Sequence, residues 1–217
     1  MIGGTGAPVP PIIVNTQQQH REGYPLGSYF QRAIHFSDAN GDGIIARSEI
    51  TLDTVTYLGN PFPKVQYALS PELTLMKIFR VSALFDHKGK YKLFNNTRRF
   101  RCSFGNCQEA YVKTTPLADQ AANVGIFLGT DAGYIEDATF TKLRELAFSV
   151  SAPDSWVSAF GGHNMVLTVA GRNLHTWTKY TGFDPEINST PGANFSTSDF
   201  LTLPPTRNWV VRLTTSF

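Results

Sequence analysis

The C-terminal end of the chain alternates, residue by residue, between apolar and polar side chains. One parity is mostly apolar and holds Trp209, Val211, Leu213, Thr215 and Phe217. The other parity is mostly polar, with Arg212 at its centre. A period of two over about ten residues predicts a β-strand with one apolar face.

Four segments further upstream repeat this alternation. They cover residues 65–70, 79–86, 145–150 and 165–170, and an interruption at 171–173 follows the last of them. Before the third segment, Lys142 and Arg144 occupy the apolar parity, which predicts a bulge or the edge of the apolar region there. The chain is therefore predicted to contain five strands, counting the C-terminal one.

The connections between these strands alternate in length. Short connections are predicted around 71–73 and across 151–163, whereas long ones precede Val65, join Phe85 to Phe140 and join Asn173 to Arg207. Short turns on one side and long loops on the other are typical of outer-membrane β-barrels, whose apolar parity faces lipid. Five strands cannot close a barrel, because open edges in hydrocarbon leave backbone groups unpaired. We therefore interpret the chain as the C-terminal part of a larger barrel.

Composition and charge exclude several other classes. An aromatic fraction of 12% excludes intrinsic disorder, and a net charge of +2 gives no signature of nucleic-acid binding. The sequence has no apolar run long enough for a transmembrane helix, and its N-terminus does not resemble a secretory signal. The N-terminus thus indicates either a cytosolic protein or a segment of a larger one, and the cysteines decide between these two alternatives.

Two cysteines, Cys102 and Cys107, flank a Gly-Asn pair that favours a tight turn. A local disulfide fits this spacing, and disulfides belong to exported compartments. Free thiols remain an alternative. A zinc site would need two further soft ligands, and the nearest histidines are more than about a dozen residues away.

Residues 38–49 match the twelve-residue calcium loop of EF-hands, with Gly43 at the sharp turn. The predicted ligands are Asp38, Asn40, Asp42, the Ile44 carbonyl and Glu49. Residues 50–57, which follow the loop, are rich in β-branched side chains and unlike an exiting helix. We therefore predict a structural loop that binds calcium or another cation. An unoccupied Asx-rich turn and a regulatory EF-hand are the alternatives.

The sequence shows no catalytic constellation, so we do not expect an enzyme. Arg98, Arg99 and Arg101 form a tight basic cluster that is a candidate contact for an anionic ligand or a partner protein. A solvated loop face is the alternative. Trp177 and Tyr180 are candidates for stacking on a sugar ring or a peptide, and packing within a loop is the alternative.

Several segments together resemble one family. Residues 21–27, 57–64, 134–146 and 173–186 resemble, in this order, the C-terminal third of SusC/RagA-type TonB-linked outer-membrane transporters. The resemblance covers the chain from about residue 21 to Phe217. It implies an all-β fold in which this chain supplies the last five antiparallel strands of a 22-stranded barrel. Residues 1–62 would then be an extracellular loop region with the cation loop, and residues 63–217 the strands and their loops.

The resemblance also implies a function. Such transporters import oligosaccharides or peptides across the bacterial outer membrane, are energised through TonB and often carry a SusD-type lid lipoprotein. The sequence has no plug domain and no TonB box, so this segment alone is not expected to transport. A different class remains as the alternative: a secreted, calcium-binding β-sandwich that recognises carbohydrate.

Overall fold

The computed structural model describes residues 9–190 and 195–216, except for the Phe160 side chain. The described residues form two compact units. The first unit contains residues 9–63, 90–138 and 180–203, and the second contains residues 64–89, 139–179 and 204–216. The predicted lipid-facing residue Phe217 lies outside the described residues.

Strands are the main elements of both units. In chain order they are β1 (Ile12–Ile13), β2 (Gln18–His20), β3 (Ser28–Phe36), β4 (Ile50–Gly59), β5 (Val65–Leu69), β6 (Glu72–Leu75), β7 (Phe79–Gly89), β8 (Lys92–Asn95), β9 (Ile135–Asp137), β10 (Phe140–Ser151), β11 (His163–Thr178), β12 (Ser198–Asp199) and β13 (Asn208–Ser216). The α-helices are α1 (Asn96–Ser103), α2 (Leu117–Phe127) and α3 (Asp154–Val157), and short 3₁₀ turns lie at Arg47–Glu49, Gln108–Ala110, Ala132–Tyr134 and Ser158–Phe160.

The second unit is one antiparallel sheet with the strand order β13-β11-β10-β7-β5, and β6 also pairs with β7. The five strands predicted from the alternation are confirmed. Within the described residues the sheet is open, with β13 at one edge and β5 and β6 at the other. The expectation of an all-β chain holds only in part, because α1 and α2 contribute helix to the first unit.

The predicted bulge is present in β10. The pairing register of β10 shifts between Leu143 and Glu145 against both of its neighbours. Against β7 the extra residue is Arg144, whereas against β11 the extra residue belongs to β11, at 173–174. The shift places Leu143 opposite Phe85 and leaves Lys142 opposite Asp86, on the other face. A single inserted residue therefore removes the two basic side chains from the apolar parity.

Two boundaries in this sheet differ from the prediction. The turn expected at 71–73 is wrong: Pro71 lies between β5 and β6, which both pair with β7 along an edge, where proline is tolerated. The true turn is Met76–Lys77, whose φ angles of 52° and 58° are those of a type I′ hairpin. Strand β11 was also expected to stop at Asn173, but it continues to Thr178.

The first unit contains regular structure where only loops were predicted. Strands β1 to β4 form an antiparallel sheet, and β8 pairs with β9 and β12 in a second small sheet. The Asn95 side chain accepts the Arg98 N–H at 3.0 Å and so caps the start of α1. After α1, Gly105 adopts a φ of 67° that favours glycine at a helix end.

The core of the first unit joins these sheets to the helices. Its main cluster consists of Tyr29, Phe94, Cys102, Ala122, Tyr134 and Ile135. A second cluster places Ile45 and Ile50 against Ala121 of α2, and so connects the β3–β4 hairpin to that helix. None of the described helices combines the length and hydrophobicity needed to cross a lipid bilayer.

Candidate functional site

The sheet of the second unit has two chemically different faces. Cross-strand partners place Leu73, Val81, Phe148, Val169 and Val211 in one row, and Leu75, Phe79, Val150, Leu167 and Leu213 in the next. We call this the apolar face. On the terminal strand it is strongly exposed, since Trp209, Val211 and Leu213 are 69%, 69% and 63% exposed. The apolar parity predicted for the last strand therefore lies on the same face as the apolar residues of the other strands in the sheet.

The opposite face of the same sheet is polar. Its central row consists of Thr74, Arg80, Ser149, Thr168 and Arg212. The Ser149 and Thr168 hydroxyls share a hydrogen bond of 2.9 Å across β10 and β11. Next to the bulge, the Arg144 guanidinium donates to the Asp86 carboxylate at 2.6 Å. A sheet with one exposed apolar face and one polar face suits a boundary between an apolar and an aqueous medium.

The predicted cation loop connects β3 to β4. Asp38 accepts the N–H groups of Asp42 and Gly43 at 3.1 and 2.9 Å, and Asp42 accepts the N–H of Ile44 at 2.8 Å. Gly43 has a φ of 78°, as the sharp turn of such a loop requires. Asp38, Asn40 and Asp42 thus turn side-chain oxygens into the same short loop.

Glu49 is placed differently from the other predicted ligands. Its carboxylate accepts the N–H of Ala39 and of Ala46, both at 2.9 Å, and so closes the loop. The ligand atoms of Asp38, Asp42 and Glu49 do not come together within 4.8 Å; among the described residues, the cluster that does is Cys102, Cys107 and Glu109. Bidentate binding of a cation by Glu49 would therefore require its carboxylate to give up these hydrogen bonds and rotate toward the cation.

Gln120 supports the loop and was not predicted. Its side-chain oxygen accepts the Ile45 N–H at 3.0 Å, and its amide nitrogen donates to the carbonyls of Gly43 and Thr115 at 3.1 and 2.8 Å. Gln120 is only 5% exposed and lies on α2, about seventy-five residues along the chain from the loop. No local sequence signal identifies such a partner, because the contact depends on where α2 packs.

The basic cluster separates into two partly buried arginines and one exposed arginine. Arg98 forms ion pairs with Glu109, Asp119 and Glu136 at 2.5, 2.7 and 3.3 Å, and its side chain is 17% exposed. Arg99 pairs with Asp131 at 2.8 Å. Arg101 is exposed, and its side chain has no ion-pair or hydrogen-bond partner among the described residues.

The carboxylates keep Arg98 charged. Burial alone would lower the pKa of Arg98, but the hydrogen bonds and charges of Asp119 and Glu109 outweigh it and raise the pKa above its usual range. Glu136 also accepts from the Thr181 N–H at 2.8 Å. The network therefore connects α1 to β9 and to the segment after Tyr180, and Arg98 has no free donor for an anionic ligand.

Cys102 lies near the end of α1 and Cys107 follows that helix, in a stretch that the sequence predicted to be a long loop. Their sulfur atoms are 2.16 Å apart, at bonding distance, and their Cα atoms are 5.0 Å apart. Cys102 belongs to the core of the first unit, and Cys107 packs against that core. Oxidation of the pair in the cell remains a prediction.

The two predicted stacking residues have different surroundings. Trp177 is 50% exposed on β11, beside His175 at a ring separation of 4.5 Å. Tyr180 is 5% exposed, and its hydroxyl donates to Asp199 at 2.8 Å. Burial and the Asp199 charge raise the pKa of Tyr180 above its usual range, so this phenol stays protonated. Trp177 therefore offers a ring to a ligand, whereas Tyr180 supports the core.

Comparisons with known proteins identify the class of this sheet. The proteins that the chain matches are a TonB-dependent receptor and the RagAB peptide transporter, which confirms the resemblance to SusC/RagA-type receptors found in the sequence. The TonB-dependent receptor P3 of Formosa agariphila is 24% identical over 157 residues, and the match covers 70% of this chain. No protein-family model matches the chain.

Solved structures of the RagAB peptide transporter share the fold. One matches with a TM-score of 0.69 and 20% identity over 95% of this chain, and the "closed-closed" and "open-open" states of the importer match with TM-scores of 0.66 and 0.61 at 20% and 19% identity. The chain spans 15% of receptor P3 and 24% of each of these solved chains. By their names these relatives are a receptor and a transporter, not enzymes, as the sequence led us to expect.

The Arg98 network predicts a large difference between two neighbouring arginines. Arg98→Gln should destabilise the protein by about 3–5 kcal/mol, because it leaves buried carboxylates without their cation. Arg101→Gln should change stability by less than about 0.5 kcal/mol, because Arg101 is exposed and has no ion-pair partner in the described part of the chain. Thermal unfolding of both variants measures the difference, and equal losses would contradict the role given to the network.

Proposed function

We propose that the chain supplies C-terminal barrel strands to a TonB-dependent transporter in the bacterial outer membrane, which imports peptides or oligosaccharides without covalent chemistry. The observation that supports this most directly is the apolar face, whose rows run across β6, β7, β10, β11 and β13. An exposed apolar surface of this extent is costly in water and favourable against lipid. The relationship to SusC/RagA-type receptors supports the same function.

The proposal includes the partners that such a transporter needs. Outer-membrane lipid contacts the apolar face, and TonB acts through parts of the receptor outside this chain. A SusD-like lid lipoprotein covers the extracellular side, which carries the loops of the first unit. Between the two substrate classes we favour peptides, because the solved relatives are described as peptide transporters.

The secreted β-sandwich alternative fits the sheet less well. A sandwich buries the inner face of each sheet against a second sheet about 10 Å away. In this chain the apolar face is exposed instead, with Phe148 and Leu167 at 45% and 43%. A soluble module with this surface would be prone to association.

The apolar face predicts that a lysine is harmful at one position of β13 and tolerated at the next. Leu213→Lys should cost about 2–4 kcal/mol near the bilayer midplane and reduce assembly into the outer membrane. Thr214→Lys, on the polar face of the same strand, is the matched control and should assemble normally. Quantifying the heat-resistant folded protein in outer-membrane fractions tests both, and equal tolerance of the two lysines would refute the assigned faces.

The proposed transport has its own test. Cells that lack the gene should lose uptake of labelled oligopeptides, and the wild-type gene should restore it. A strain without TonB should fail in the same way, because import is energised through TonB. Restored uptake of oligosaccharides but not of peptides would select the other substrate class, and uptake that is independent of the gene would refute the function.

We also propose that the loop at 38–49 binds one calcium ion and stiffens the β3–β4 hairpin. The convergence of Asp38, Asn40 and Asp42, together with the Gly43 turn, supports this. The two carboxylates of Asp38 and Asp42 both accept N–H groups of this short loop, and a cation between them would offset the repulsion of their like charges. The Ile44 carbonyl and a reoriented Glu49 would complete the ligand set.

Calcium titration of the full-length protein by calorimetry tests this proposal. The wild-type protein should bind one calcium ion, and Glu49→Gln should weaken binding by about tenfold or more through loss of the bidentate carboxylate. Glu22→Gln, which removes an exposed carboxylate outside the loop, is the control and should bind as the wild type does. Absence of binding at millimolar calcium, or identical binding by the Glu49 variant, would refute the site.

A further inference from the structure

Two cavities of the first unit meet at Arg101. One has a volume of about 440 Å³ and is lined by residues from α1, from 107–109 and from 181–183. The other has a volume of about 330 Å³ and follows residues 105–112. Arg101, Cys107 and Gln108 line both cavities. We call the two cavities together the Arg101 groove.

We propose that the Arg101 groove binds the free C-terminal carboxylate of a peptide, with Arg101 and Gln108 as its donors. This inference rests on the proposed function for the source of the peptide. The binding chemistry itself rests on the groove alone.

Arg101 and Gln108 are the two residues with polar side chains that line both cavities, and the polar groups deeper in the larger cavity are already paired. Arg98 is taken up by three carboxylates, and Thr97 donates to Asp199 at 2.5 Å. The Arg101 guanidinium and the Gln108 amide, in contrast, have no partner among the described residues. A guanidinium with an adjacent amide matches the two oxygens of a carboxylate, and charge-assisted hydrogen bonds of this kind are strong.

Each cavity adds one exposed aromatic ring. Phe183 lines the larger cavity and is 69% exposed, and Tyr111 lines the smaller one and is 76% exposed. Aromatic rings this exposed would bury apolar area, and so favour binding, if apolar groups of a ligand covered them. A peptide whose carboxylate lies on Arg101 can place apolar side chains against one ring or the other.

The charge around the groove favours a peptide over an acidic polysaccharide. Glu109 and Asp199 line the larger cavity together with Arg98 and Arg101, and Asp119 and Glu136 add two more carboxylates as partners of Arg98. Carboxyl groups thus outnumber cations, so a polyanion meets net repulsion. A peptide brings a single carboxylate to Arg101 together with neutral or cationic groups for the remaining wall.

The wall of the groove is held in place before any ligand binds. The Arg98 network and the bonded sulfurs of Cys102 and Cys107 fix the segment that follows α1. On the other side, a Cβ at Gly182 would approach Tyr180 Cε1 to 2.4 Å, so glycine is required for this packing. A pre-formed wall lowers the entropic cost of binding.

The test compares two forms of one tetrapeptide that ends in phenylalanine, one with a free carboxylate and one with a C-terminal amide. Calorimetry on the full-length protein in detergent should show about tenfold tighter binding of the free acid. Arg101→Gln should weaken acid binding about tenfold and abolish the preference. Arg207→Gln, which also removes an exposed arginine without a partner among the described residues, should keep it.

Each outcome decides the inference. Equal binding of acid and amide by the wild-type protein, no binding of either, or an acid preference that survives in Arg101→Gln would overturn it. Tighter, Arg101-dependent binding of an oligogalacturonate would assign the groove to acidic sugars and overturn the choice of a peptide. If the purified protein discriminates acid from amide while cells show no gene-dependent uptake, the groove stands and the transport function fails.

Discussion

The cross-strand register of the second unit is the constraint on which the rest of its surface depends. Because side chains in a strand alternate between faces, a slip of one residue would exchange the apolar and the polar face. Val81, Phe148, Val169 and Val211 stay in one row only because β7, β10, β11 and β13 keep a common register. The bulge at Arg144 is part of the same constraint, since it changes the parity where the sequence turns basic.

The first unit depends on a different interaction. Several of its elements are short, such as β8 and β12, which have four and two residues and cannot hold their positions alone. Arg98 joins them by pairing with Glu109, Asp119 and Glu136, which come from three separate stretches of the chain. A buried ion-pair network of this kind adds geometric precision more reliably than net stability. It fixes the loops of this unit in one arrangement and so defines the cavities next to it.

The sequence predicted features that depend on local periodicity and missed those that depend on distant partners. The five strands and the bulge follow from alternation, which any reader of the sequence can count. The Met76–Lys77 turn was missed because neither residue carries the usual glycine or asparagine signal of a type I′ turn. Gln120 was missed because its value to the loop appears only when α2 packs on the hairpin. The cation site itself remains a prediction.

The basic cluster shows why sequence adjacency is a poor guide to available charge. Read along the chain, Arg98, Arg99 and Arg101 suggest a surface that attracts anions over a long range. In the folded unit, carboxylates neutralise the first two, and the Arg101 guanidinium is left without a partner among the described residues, beside an excess of acidic groups. Such a surface attracts polyanions only weakly from a distance. It distinguishes ligands at contact, where one carboxylate can meet the Arg101 guanidinium in a suitable orientation. Selectivity at this position therefore depends on the shape of the groove, and α1 contributes to that shape through the same Arg98 network.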